Sequence, residues 1–304
     1  MRVAAVDIGT NTVRLLLGDA VLGEAGPRLD AVGRFEVITK LGEGLDATGR
    51  LADAPMGRAL DGLASYAGLI ADFGADVVGG VATAATRSAA NGQEFALEVA
   101  ATLGFRPKII DGVEEARLTF LGATSRLGGD ETFCVIDVGG GSTEFVVGRA
   151  LPEYTMSIDI GSVRLTERIE SLGLHDPGEI RSYVDALFDE VAVPMQPSSL
   201  IGSGGTFVTL GAVAGEITTA SVETGDETVV AMGDLVASVD RLLAMSVPEI
   251  AGLPSVPAAR AEVLRAGVVC AERAVARIGT DEVTISVSDI LDGIALELAT
   301  PAVG

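Results

Sequence analysis

A chain of 304 residues, 48% of them hydrophobic, is long enough for two domains of roughly 150 residues, each with its own core. Its formal net charge of -22 repels nucleic-acid backbones and anionic lipid, so neither is expected as a partner, and a polyanionic substrate would need local arginines or a metal ion. No run reaches the ~18 apolar residues of a membrane span, and the apolar stretch before Asp7 is too short for a secretory leader, so the expected location is cytoplasmic.

In chain order, an apolar strand delivers Asp7 to the turn Gly9-Thr10-Asn11-Thr12, and a second apolar strand leads away to a closing Gly18. The apolar residues Leu29, Val32, Phe35, Val37 and Ile38 predict a third strand over 28–39, and Leu60, Leu63, Ala64, Ala67 and Ile70, at helical spacing, predict a helix over 55–73. A strand near 76–83, a helix near 90–103, a strand at 106–110 and a helix over 112–124 follow. The pattern then restarts: a strand delivers Asp137 to Gly139-Gly140-Gly141-Ser142, and a second strand carries Glu144 and closes at Gly148. Next come a segment at 153–160, helices near 161–170 and 176–192, and a strand at 198–202 that ends in Gly202-Ser203-Gly204-Gly205-Thr206. Helices near 205–214, 232–245 and 255–277, a strand at 281–287 and a final helix at 289–299 complete the chain.

Asp, Gly, a hydroxyl residue and a closing Gly thus recur at the same offsets in two strand-turn-strand units. Either alone is an ordinary hairpin. Two in register suggest a pair of phosphate grips, since glycine lets an anion approach backbone N–H groups closely and the Asp is placed to hold a metal ion or its waters. Three strands followed by alternating helices and strands, twice over, imply two α/β domains with mixed sheets and a site in the cleft between them. The expected lobes are 1–124 with the last helix and tail, 289–304, crossing back, and 125–288, with a hinge near Gly122 to Gly129. Cys134 and Cys270 have neither CxxC spacing nor a histidine companion and read as buried thiols. His175, the single histidine, falls in a loop before a helix capped by Asp176.

Five segments resemble the exopolyphosphatase and guanosine pentaphosphate phosphatase (Ppx/GppA) family. They are Asp7-Ile8-Gly9-Thr10-Asn11-Thr12, Thr83 to Asn91 with Arg87 and Ala89, Gly112-Val113-Glu114-Glu115-Ala116-Arg117-Leu118, Asp137 to Glu144, and Gly161-Ser162-Val163-Arg164-Leu165-Thr166-Glu167. The two hairpins belong to the whole actin-like ATPase superfamily, with sugar kinases, actin and related chaperones. The Arg87 and Glu114-Glu115-Ala116-Arg117 segments are more particular to the phosphatases. The resemblance implies two ribonuclease H-like domains flanking an interdomain cleft, in a short form lacking the additional helical metal-phosphohydrolase domain of long members.

It also implies release of terminal orthophosphate from inorganic polyphosphate, or of the 5′ phosphate from guanosine pentaphosphate, by in-line water attack. Glu115 would be the catalytic base. Gly9, Thr10, Asn11, Arg87, Gly139, Gly140, Gly141, Ser142, Gly204 and Gly205 would bind phosphate. Asp137, Glu144 and Asp7 would hold Mg²⁺, with Mn²⁺ the alternative, because only oxygen ligands are at hand. For Glu114 a first-turn helix-dipole role stands beside a catalytic one. A homodimer is the family expectation, and a nucleotide-switched scaffold or a small-molecule kinase are readings from other classes.

Overall fold

The computed structural model of the chain describes residues 1–23, 26–127, 131–215 and 228–300. Its contacts divide into two units, Met1–Arg126 with Asp289–Gly304, and Leu127–Ser288. Part of the hinge expected at 122–129 lies outside the described residues.

Unit 1 opens with β1 (Arg2–Ile8), β2 (Thr12–Gly23) and β3 (Gly26–Ile38), an antiparallel meander. It continues through α1 (Leu45–Thr48), α2 (Asp53–Phe73), β4 (Val77–Ala82), α3 (Ala84–Ser88), α4 (Gly92–Leu103), β5 (Lys108–Ile109) and α5 (Gly112–Thr124). The sheet order is β3-β2-β1-β4-β5, with β4 parallel to β1 and β5 parallel to β4. Strand alternation sends Val6, Ile8, Val13 and Leu15 to one face, under α2 and α4, and Val3, Ala5 and Leu16 to the other. That second face is covered by a helix from the end of the chain, whose Ile290, Leu291, Ile294 and Ala295 are buried there.

Unit 2 repeats the plan with β6 (Phe133–Val138), β7 (Thr143–Gly148), β8 (Pro152–Ile158), α6 (Ser162–Leu172), α7 (Pro177–Phe188), β9 (Ser199–Ser203) and α8 (Gly204–Ala214). Then come β10 (Thr228–Ala231), α9 (Met232–Ala244), α10 (Val247–Ala251), α11 (Ala261–Ile278) and β11 (Glu282–Ile285); α12 (Ile290–Ala299) is the helix that belongs to unit 1. Its sheet order, β10-β11-β9-β6-β7-β8, contains the same succession as unit 1, β8-β7-β6-β9-β11 standing for β3-β2-β1-β4-β5, with β10 added antiparallel at the edge.

The strand and helix pattern expected from the sequence is present, with four additions: α1, α3, β10 and α10. Each is four or five residues long, too short for a hydrophobic period to register. The helix expected from 255 starts at Ala261, because Pro254 and Pro257 leave only a single 3₁₀ turn, Ala258–Arg260, before it. Cys134 and Cys270 are buried and unbridged, and burial pushes both thiols up to about 12. His175 is exposed, and Asp176 caps α7 by accepting from Gly178 and Glu179 N–H at 2.8 and 3.2 Å. Among the described residues no helix is long and apolar enough to cross a membrane.

Candidate active site

In each unit the turn after the first strand has the same closure. Gly9 N–H donates to Thr12 O at 2.9 Å, and Gly139 N–H donates to Ser142 O at 3.0 Å. Among the described residues, the amides of Thr10, Asn11, Gly140 and Gly141 meet no protein acceptor. Successive unpaired amides on a tight glycine turn form a concavity suited to an anion. The turns are held from behind by their carbonyls: Asn11 O accepts from Thr39 and Lys40 N–H at 2.8 and 2.9 Å, and Thr10 O from Gly42 N–H at 2.8 Å. In unit 2, Gly139 O accepts from Ser162, and Gly140 O from Val163 and Arg164, at 2.9–3.1 Å. This close seating requires Gly161, where a Cβ would stand 2.6 Å from Gly139 O.

Asp7, 3% exposed, lies at the end of β1 opposite Arg14 on β2. Arg14 donates through Nε and Nη2 to Oδ2 of Asp7 at 3.0 and 2.7 Å, while Oδ1 is buried and has no hydrogen-bond partner among the described residues. Burial raises the Asp7 carboxyl above the usual range, against the pull of Arg14. The side-chain Oδ1 of Asn11 is likewise buried without a partner. A third arm of Arg14, Nη1, reaches Oδ2 of Asp289.

Glu115 sits in the first turn of α5, whose start is fixed by Asp111 accepting from Glu114 N–H at 2.9 Å. The side chain turns inward and is 9% exposed. Its Oε2 accepts from Nη1 of Arg87 at 2.9 Å, and the same nitrogen donates to Ile110 O at 3.0 Å, so both hydrogens of Nη1 are used. The Nε and Nη2 edge of Arg87 has no protein acceptor among the described residues. Burial pushes the Glu115 carboxyl up to about 7, Arg87 pulls it down, and the nearby charge of Asp7 pushes it further up. Asp7, Arg14, Arg87 and Glu115 are therefore one electrostatic group within unit 1. Glu114 is its opposite: hydrogen bonds from Arg117 at 2.7 and 2.9 Å hold it down to about 2, on the outer side of the helix. Asn91, in the same motif as Arg87, is a structural clasp whose amide exchanges bonds with Leu51 N–H and O at 2.9 and 3.0 Å.

In unit 2, Asp137 and Glu144 are register partners on β6 and β7 and so share a face of the sheet. Glu144 is 1% exposed and accepts from Ser157 Oγ at 2.7 Å. Gly204, with φ +84°, brings the start of α8 against Asp137 so closely that a Cβ would collide with its Oδ1. The first amides of α8, from Gly204 and Gly205, have no intrahelical acceptor. Ser142 is buried in the turn.

Among the described residues no three carboxylate, imidazole or thiolate groups gather as a metal cage. The donor set fits a hard cation held by one or two carboxylates, with water and substrate oxygens completing its shell, and the orphaned Oδ1 of Asp7 fits a water or hydrated ion. Sequence reasoning gave no role to Arg14, Asp289 or Arg260, the last of which donates to Gly205 O at 2.7 Å. The Arg14 signal was present, as the position where the two repeats differ in charge.

Residues 21–300 match the Ppx/GppA phosphatase family. The chain is 37% identical to Exopolyphosphatase 2 of Mycobacterium tuberculosis, with 98% of each chain covered. It resembles the crystal structure of an exopolyphosphatase-like protein (TM-score 0.87, 33% identity, 97% of each chain) and that of an exopolyphosphatase from Cytophaga hutchinsonii (TM-score 0.85, 27% identity, 96% of each). Two mixed-sheet α/β units of the actin-like ATPase type are the fold of these relatives and of this protein. The chain is a member of the Ppx/GppA phosphatase family, and it is a hydrolase.

Proposed function

We propose that the protein is an exopolyphosphatase, which removes the terminal orthophosphate of inorganic polyphosphate by in-line attack of water. The observation that carries this reading is Glu115: a buried carboxylate whose proton affinity is tuned to about 7, tethered at one oxygen by an arginine that keeps a second edge for an anion. A base with a pKa near the working pH balances availability against strength. In the proposed step Glu115 takes a proton from water, the water oxygen bonds to the terminal phosphorus, and the bridging P–O bond breaks toward the shortened chain. The Nε and Nη2 edge of Arg87 pairs with phosphate oxygens, a bidentate fit that lysine does not offer. The unpaired amides of Thr10 and Asn11 in unit 1, and of Gly140 and Gly141 in unit 2, donate to phosphate oxygens, with Gly204 and Gly205 as further donors. Asp137 and Glu144 would hold Mg²⁺, which when bound neutralises charge on the phosphates. The relatives named as exopolyphosphatases support the choice of substrate.

The test is orthophosphate release by the purified protein with Mg²⁺ and, separately, long-chain polyphosphate, guanosine pentaphosphate and ATP. Fastest release from polyphosphate supports the proposal. Preference for the pentaphosphate moves the substrate to the nucleotide, and turnover of ATP alone points to a nucleotide-switched scaffold.

A further inference from the structure

Arg14 is a bridge. It commits Nε and Nη2 to a single oxygen of Asp7, which leaves the other, buried Oδ1 without a hydrogen-bond partner among the described residues, and it places Nη1 on Asp289. Without the Asp289 anchor the guanidinium would have more freedom to swing about its side-chain bonds and to let the Asp7 carboxylate rotate with it.

Asp289 is itself immobilised. As the cap of α12 its Oδ1 accepts from Leu291 N–H at 2.9 Å, and its own N–H donates to Asp292 Oδ2 at 3.0 Å. Asp292 in turn takes Arg34 Nη2 at 2.5 Å, which ties the cap to β3. The same helix end is locked onto α5, the helix that carries Glu115. At Gly122 a Cβ would run into Asp289 O, and at Gly293 one would run into Leu118 O, so the two backbones cross with nothing between them. Arg117 of α5 adds an ion pair to Glu297 of α12.

We infer that Asp289 is a positioning residue for hydrolysis: through Arg14 it sets the orientation of the Asp7 carboxylate, and through α12 it keeps that carboxylate in register with Glu115. The inference rests on Asp7 and Glu115 belonging to the active site. It adds a requirement that neither hairpin motif contains, since Asp289 lies 275 residues from Arg14 in the chain.

The test compares Asp289→Asn and Asp289→Ser with wild type in the full chain. Both substitutes are good helix caps, so α12 should stay folded, but neither offers Arg14 a charged acceptor. With whichever phosphoanhydride the wild type hydrolyses fastest, kcat should fall on the order of 10- to 100-fold, the scale of a misplaced catalytic group. KM, and polyphosphate affinity measured by calorimetry in EDTA, should stay within about threefold, and the Tm within a few degrees. Combining Asp289→Asn with Arg14→Lys should cost no more than Arg14→Lys alone, because both break one bridge. Wild-type kcat in both Asp289 variants, additive losses in the double variant, or a fall in Tm with unchanged kcat of the folded fraction would each overturn the positioning role. A wild type inactive on polyphosphate but active on guanosine pentaphosphate would overturn only the substrate proposed above. Inactivity on every phosphoanhydride tested would overturn both.

Discussion

The two glycine hairpins share a backbone and differ in chemistry. Their turns close through the same hydrogen bond, and their sheets share one strand succession. Yet the residue across from the repeated Asp is Arg14 in unit 1 and Glu144 in unit 2. The first pairing fixes one oxygen of Asp7 and leaves the other buried with no hydrogen-bond partner among the described residues. The second sets two carboxylates side by side on one face, an arrangement that favours a bound cation. A repeated unit can thus keep its turn, with its unpaired amides, while one position on the returning strand decides between a carboxylate pinned by arginine and a pair of facing carboxylates.

The largest test of this division is Glu115→Gln, on the unit 1 side. Hydrolysis should fall by about 10²- to 10⁴-fold, the usual contribution of a positioned base, with polyphosphate binding retained by calorimetry. The folded carboxyl titrates near 7 against 4.5 for the ordinary group, so wild-type kcat/KM, which reports the free enzyme, should rise with pH through about 7. Stability runs the other way. A raised carboxyl pKa means that the folded state holds its proton more tightly than the unfolded chain, so this group's penalty is absent below pH 4.5 and grows as pH rises toward 7. The Gln variant should therefore be more stable than wild type at pH 8, by roughly 1–3 kcal/mol, and equal to it near pH 4, as read from urea melts.

Arg14→Glu writes the unit 2 pairing into unit 1. With no cation to hold Asp7 and Asp289, the loss should be about 3–5 kcal/mol in urea unfolding, the range for breaking a buried ion pair. A stable variant would mean that Arg14 is not what holds this corner together. Glu144→Gln should raise the Mg²⁺ concentration needed for half-maximal turnover by about 10- to 100-fold while leaving the fold intact. An unchanged Mg²⁺ requirement would remove Glu144 from the cation site. The smallest effect belongs to the seat behind the unit 2 turn. Gly161→Ala presses a methyl group against Gly139 O and should cost about 1–3 kcal/mol and raise KM.

The repeat was legible in the sequence because its signals are local: an apolar strand, an Asp, a glycine turn, a second strand. The inward turn of Glu115 and the outward turn of Glu114 were partly legible, since neighbours on a helix point about 100° apart. What no local pattern carried was the company these residues keep. Asp289 and Asp292 form a capping box that reads only as the start of a helix, and nothing near them announces Arg14 or Arg34 as partners. Asn91 shows the converse: it belongs to the same motif as Arg87, yet its amide is consumed by the backbone of Leu51.

The order in which a ribosome issues these segments gives α12 a further meaning. Residues 1–126 emerge before unit 2, but one face of their sheet lacks its α12 cover, and Arg14 lacks its Asp289 anchor, until the whole of unit 2 has been translated and α12 follows. Until then the nascent first unit exposes Val3, Ala5 and Leu16, surface that chaperones recognise, and the carboxylates that would cleave phosphate are not yet set. The Arg14–Asp289 pair can therefore form only after unit 2 has been translated and α12 has followed it.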